Sequence, residues 1–286
     1  MWSCRDRHCG GRSRRVAGQA EAPAEEHLTP NSGGSEPMYL PELFRVEDVP
    51  QMHALMRARP FAALVSAGSA GLFASHLPTV LKDEGRYGVI ECHLARANPH
   101  WRDLADGGEA LMIFQGAEGY ITPNWYPSKA EGGKVVPTWN FAVVHAYGRA
   151  EVMNDEAWLR RHVTELTAQQ EKDQSRPWAP SDAPSSFIDS MLRGIVGFRF
   201  AVTRLEGKWK MSQNRTPKDR EGVVKGLALR DRGDDREIAE LVSRHTTPSD
   251  AGSQKIRRWV VTARSGSDEA IHSSRAKDWI ASLRSQ

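Results

Sequence analysis

The stretch KWKMSQNR, residues 208–215, gathers Lys208, Lys210, Ser212, Gln213, Asn214 and Arg215 within eight positions. Lys and Arg carry fixed positive charge, and Gln and Asn offer donors and acceptors together. The cluster therefore has the chemistry to hold a phosphate, a carboxylate or the edge of a polar heterocycle. The same residues suit a strand end followed by a turn, locked by side-chain to backbone hydrogen bonds. HLARANP, residues 93–99, raises a similar choice. If its strand continues, Arg96 and Asn98 emerge on one side, where they suit a phosphate. Alternatively, Arg96 pairs with a surface carboxylate and Asn98 caps a helix that Pro99 begins. In VPTWNFAVVHAYG, strand alternation puts Trp139, Phe141, Val143 and His145 on one face and Asn140, Ala142, Val144 and Ala146 on the other. An aromatic beside an amide fits a flat polar ring. A core strand with Trp139 inside, Asn140 in a turn hydrogen bond and His145 as a packed histidine fits the pattern too.

These groups stand without a familiar catalytic signature. There is no P-loop, no G-x-G-x-x-G, no H-E-x-x-H and no G-x-S-x-G, so any chemistry is expected to come from a cofactor. CRDRHC near the N-terminus supplies Cys4, His8 and Cys9, but no second cluster at zinc-finger spacing.

The elements that position these residues follow from pattern. Residues 1–37 lack apolar periodicity and are expected to be a disordered extension. From Met38 the chain turns apolar, and Val49, Met52, Leu55 and Met56 recur at helical spacing after Asp48. Strand-like segments follow: FAALVSA, GLFASHL, YGVIECHLA, EALMIFQG, GYITP and TWNFAVVHAYGRAEV, with a short helix at PHWRDLAD. Two helices, one opened by Asp155 and one at PSSFIDSMLRG, interrupt the strands before the last, IVGFRFAVTRLEGKWKMS. About seven strands with marginal helices predict an α+β fold built on a mainly antiparallel barrel. The segment DDREIAELVSRH reads as a helix with a capping box of Asp234 and Glu237. Residues 38–245 thus form one domain, and 246–286 a marginally ordered tail.

With 39 Lys plus Arg against 36 Asp plus Glu, the net charge of +3 is too small to bind nucleic acid by bulk electrostatics. Three cysteines, Cys4, Cys9 and Cys92, cannot all pair within one chain, and a reducing cytoplasm is the simplest setting. No run approaches the roughly 18 apolar residues of a membrane span.

The ordered motifs MYLPELF, SHLP, HLARANP, YITPNWYPSK, VPTWNFAVVHAYG and GIVGFRFAVTRLEGKWKMSQNR resemble the PaiB-like family, described as FMN-binding negative transcriptional regulators. The resemblance covers about residues 38–230. It implies a split β-barrel that forms a homodimer, with FMN in clefts between the subunits. By its analogy the flavin phosphate falls near Arg96 and Asn98, with His93 on the same segment and Ser75, His76 and Leu77 beside the isoalloxazine. Trp139 and Asn140 would approach from the partner subunit. Lys210, Gln213, Asn214 and Arg215 would form a wall of the cleft. Regulation would involve DNA or a partner protein, yet no helix-turn-helix stands out at convincing spacing. The competing reading is a flavin-dependent oxidoreductase acting on a small molecule.

Overall fold

The computed structural model describes residues 38–68 and 71–244; the expectations for residues 1–37, for the CRDRHC motif and for the tail beyond 245 lie outside them. In chain order come β1 (Arg45–Val46), α1 (Val49–Ala58), β2 (Phe61–Gly68), β3 (Gly71–Pro78), β4 (Val80–Lys82) and β5 (Val89–Ala95). Next are α2 (His100–Ala105), β6 (Ala110–Ile121), α3 (Lys129–Gly132) and β7 (Thr138–Met153). The chain continues through α4 (Glu156–Glu171), α5 (Ser185–Arg193), β8 (Ile195–Lys210), α6 (Pro217–Arg230) and α7 (Asp235–Arg244).

All strand pairs are antiparallel, in the order β3-β2-β6-β7-β8-β5-β4, with β1 added to the free edge of β8 near Lys208. The path does not close on itself, so the fold is an α+β, mainly antiparallel split barrel with flanking helices. The sheet has 8 strands where about seven were expected, because β1 and β4 are too short to show alternation. EALMIFQG and GYITP are one strand, β6, interrupted by an irregularity between Gln115 and Glu118.

Strand alternation sorts the side chains. The inner face packs Leu64, Leu77, Ile90, Met112, Phe114, Val144, Phe198 and Phe200 into the core, each no more than 2% exposed. Between β7 and β8 the chain leaves the barrel as the α4–α5 arm. This arm has its own small core of Trp158, Leu159, Ile188, Leu192 and Ile195. Asp155 opens α4 as expected, its Oδ1 accepting from the Trp158 amide at 2.8 Å.

Two expectations change at the C-terminal end. Asp234 and Glu237 spend their oxygens on Arg59, at 2.8 Å each, rather than on a capping box; the Asp234 carboxylate also accepts from the Glu118 amide. A helix also stands where none was read: α6 precedes α7 across a tight turn at 231–234. Its apolar face is narrow, so periodicity does not reveal it, although Thr216 followed by Pro217 and Asp219 forms an N-terminal signal.

Candidate functional site

The expected site residues fall into three groups. The first is a buried hydrogen-bond network under α2. Ser75 Oγ accepts from Asn98 Nδ2 at 3.1 Å and lies 2.9 Å from His100 Nδ1, while His100 Nε2 lies 2.9 Å from Ser66 Oγ. Asn98 Oδ1 accepts from the His100 amide at 3.0 Å, which is the capping role. His100 is fully buried and stacks on Phe73, and burial lowers its pKa, so the neutral ring joins β2, β3 and α2. Sequence reasoning missed His100; its place directly after Asn98-Pro99 was the available signal. Leu77 packs in the core at 2% exposure, whereas His76 is exposed on the opposite face and stacks against Phe61.

The second group sits under the α4–α5 arm. His93 Nδ1 lies 3.1 Å from His162 Nε2. Arg96 donates to the carbonyls of Arg193 at 3.0 Å and Ile195 at 2.8 Å and to Asn154 Oδ1 at 3.2 Å. Its guanidinium thereby ties the end of β5 to both ends of the arm.

The third group lies at the ends of β7 and β8. Asn140 is fully buried and exchanges hydrogen bonds with Ser212, at 3.0 and 3.2 Å. Ser212 has a φ of 61°, and the Asn140 amide helps hold that turn. Gln213 accepts from the Met211 amide and donates to the Trp209 carbonyl, both at 2.6 Å, closing the strand end locally. Asn214 is exposed. Arg215 lies over the Tyr126 ring, 4.6 Å from its centroid. Trp139 is on the outer face, 52% exposed, edge-on to Tyr120.

The same outer face carries a row that the octapeptide only half displayed. Arg204, Glu206, Lys208 and Lys210 alternate along β8, facing Tyr147, His145, Val143 and Phe141 of β7. Lys208 Nζ donates to the Tyr39 carbonyl at 2.7 Å and lies 5.2 and 5.6 Å from the Tyr39 and Phe141 ring centroids. Lys210 donates to Thr138 Oγ1 and to the Trp139 carbonyl. Among the described residues neither lysine, nor Arg215, forms an ion pair with a carboxylate. Desolvation lowers both lysine pKa values, and the charges of Lys208 and Arg215 lower that of Lys210 further. Beside them Tyr147 Oη donates to Glu206 at 3.1 Å and lies 3.3 Å from His145 Nδ1, and Arg204 binds Glu206 at 2.9 Å. Burial and then Glu206 raise the Tyr147 pKa, while burial and then Lys208 lower that of His145.

The outer face of this antiparallel split barrel thus brings together lysines and aromatic rings, a surface whose chemistry suits a flat, anionic ligand. Residues 38–204 match the family described as "Putative FMN-binding domain", and the chain belongs to that family, with FMN as its cofactor. It is 29% identical over 205 residues to protease synthase and sporulation protein PAI 2 of Bacillus subtilis, covering 72% of this chain and 96% of that one, in keeping with the PaiB-like resemblance. It is also 32% identical over 226 residues to an uncharacterised protein of Emericella nidulans, covering 66% of this chain and 90% of the other. Among solved structures, the flavocytochrome Anf3 of Azotobacter vinelandii matches with a TM-score of 0.43 at 16% identity, covering 64% of this chain and 75% of that one.

Proposed function

We propose that the protein is an FMN-binding homodimer that represses transcription in the cytoplasm, with the flavin's anionic end held by Lys208, Lys210 and Arg215. The observation that carries this reading is a trio of cations with no carboxylate partner among the described residues, Lys208 over the Phe141 ring, Lys210 at the Trp139 carbonyl and Arg215 over the Tyr126 ring. An anionic, flat cofactor supplies the missing charge and covers the rings. Bound FMN supplies electron and hydride transfer chemistry at this face.

The regulatory part of the proposal rests on the PaiB-like family. Direct reading of DNA has little support in the helix pair. The outer positions of α6 and α7 mix Lys218, Lys225 and Arg236 with Glu221 and Glu240, and Arg236 is paired with Asp231. Repression is therefore assigned to a protein partner that responds to the flavin-loaded dimer. The test is complementation of a deletion strain. Wild-type protein should restore repression of the transcripts that rise on deletion, and the Lys208→Ala/Lys210→Ala variant should not. Full restoration by a variant shown to lack FMN would overturn the link between flavin and regulation.

One observation favours a second reading, a flavin-dependent oxidoreductase. His145 and Tyr147, whose pKa values burial displaces, stand beside the lysines in a hydrogen-bonded set with Glu206. Steady oxidation of a reduced nicotinamide by the purified protein, with FMN cycling, would select it.

A further inference from the structure

The α4–α5 arm meets the barrel through an apolar contact, Trp158 and Leu159 against Ile195 and over Gly197 of β8, and through a polar seam beside it. His162 on α4 is fully buried, stacks on Trp158 at 5.1 Å, and points Nε2 at His93 Nδ1 on β5. One proton lies between the two rings, so at least one of them must be neutral, and protonating both would set two imidazolium N–H groups against each other in a buried site. His162 Nδ1 and Trp158 Nε1 are buried without hydrogen-bond partners, so the seam is already short of polar satisfaction. Its remaining ties are Lys82 to Glu165, Gln169 to the Thr79 carbonyl, and Arg96 to Asn154 and the carbonyls at the arm's end.

We propose that the His93–His162 pair is an acid-sensitive latch that holds the α4–α5 arm on the barrel and releases it as protons are taken up. The charges acting on His162 are Lys82 from β4 and Arg161 from α4; Glu91, two residues before His93 on β5, is in turn surrounded by Lys82, Glu165, Arg161 and Arg199. Burial pulls His93 down to about 4 and His162 to about 3, the latter helped by His93, Lys82 and Arg161. The docked arm therefore binds fewer protons than the released arm between the ordinary histidine value and about 4. The latch is fully set above about pH 6.5 and weakens as pH falls through that window. Glu91, whose pKa burial raises, works in the opposite direction by favouring the docked, protonated carboxyl as pH falls.

Hydrogen exchange on the full-length, FMN-loaded chain at pH 7.5, 6.5 and 5.5, corrected for intrinsic rates, tests this. Opening of α4 should become more frequent by up to about tenfold per pH unit for each histidine below pH 6.5. Protection of β6 and β7 should hold steady. In His93→Gln and His162→Gln variants the slope for α4 should fall. Should either variant fail to fold, the wild-type series still decides. Exchange in α4 that stays flat to pH 5.5, or rises only together with β6 and β7, overturns the proposal.

Discussion

Arg96 and Lys210 look alike in the sequence, each a cation at a strand end beside an amide, yet the fold uses them differently. Arg96 fills its donors with carbonyls 97 and 99 positions away, contacts that no local pattern announces. Lys210 faces two other cations, Lys208, which alternation along β8 places beside it, and Arg215 from the turn that follows. Charge-assisted contacts are worth about 1.5–3 kcal/mol, so Lys208→Ala or Lys210→Ala should weaken FMN binding roughly ten- to a hundredfold. Arg96→Ala should instead lower the melting temperature and leave FMN affinity within about twofold. Flavin titration of apo-protein together with thermal melts separates the two. A large affinity loss confined to Arg96→Ala would move the phosphate to that end of the barrel. The cationic row of β8, Lys208 and Lys210, was legible in the octapeptide, whereas the partners of His93 and Ser75 depend on α4 and α2 docking and were out of reach of the sequence alone.

At the scale of elements, the long strands and the Asp155-capped helix were readable because period and caps agree there. Helix α6 was not, and its glycines show why. A Cβ at Gly222 would meet the Trp125 carbonyl oxygen at 2.0 Å, and one at Gly226 would meet the Trp125 ring at 2.2 Å. The face that would have carried large apolar residues is kept bare so that the β6–β7 connection can lie against it. Ser128, bound through its amide and hydroxyl to Asp219, and Arg230, stacked over Trp125, fasten that connection on either side. Alanine favours helix over glycine by about 1 kcal/mol, but overpacking typically costs about 1–3 kcal/mol. Gly222→Ala and Gly226→Ala should therefore destabilise the protein, with Gly222→Ala worse because backbone blocks its methyl. Denaturant unfolding of both variants measures this, and a stabilised Gly222→Ala protein would show that the connection can move aside.

For the whole molecule, the open path of the sheet leaves an outer face that continues from β3 to β8. One row across it reads His76, Ala63, Ile113, His145 and Glu206, and the next reads Ala74, Val65, Leu111, Tyr147 and Arg204. Its β2–β3 end is small and apolar, with Phe61 and Leu72 at 63% and 83% exposure, while its β8 end carries the cations. A second copy laid across this face would cover the apolar end of each chain and bring its rings to the other's lysines. Wild-type protein at micromolar concentration should scatter light as a dimer. Ala63→Arg places an unpaired charge mid-face, where Ala63 lies only partly buried, so the variant should remain folded by circular dichroism, scatter as a monomer and bind FMN at least tenfold more weakly. A wild-type monomer with full FMN affinity would mean that one chain completes the cofactor site, and the apolar end of the face would then need another occupant.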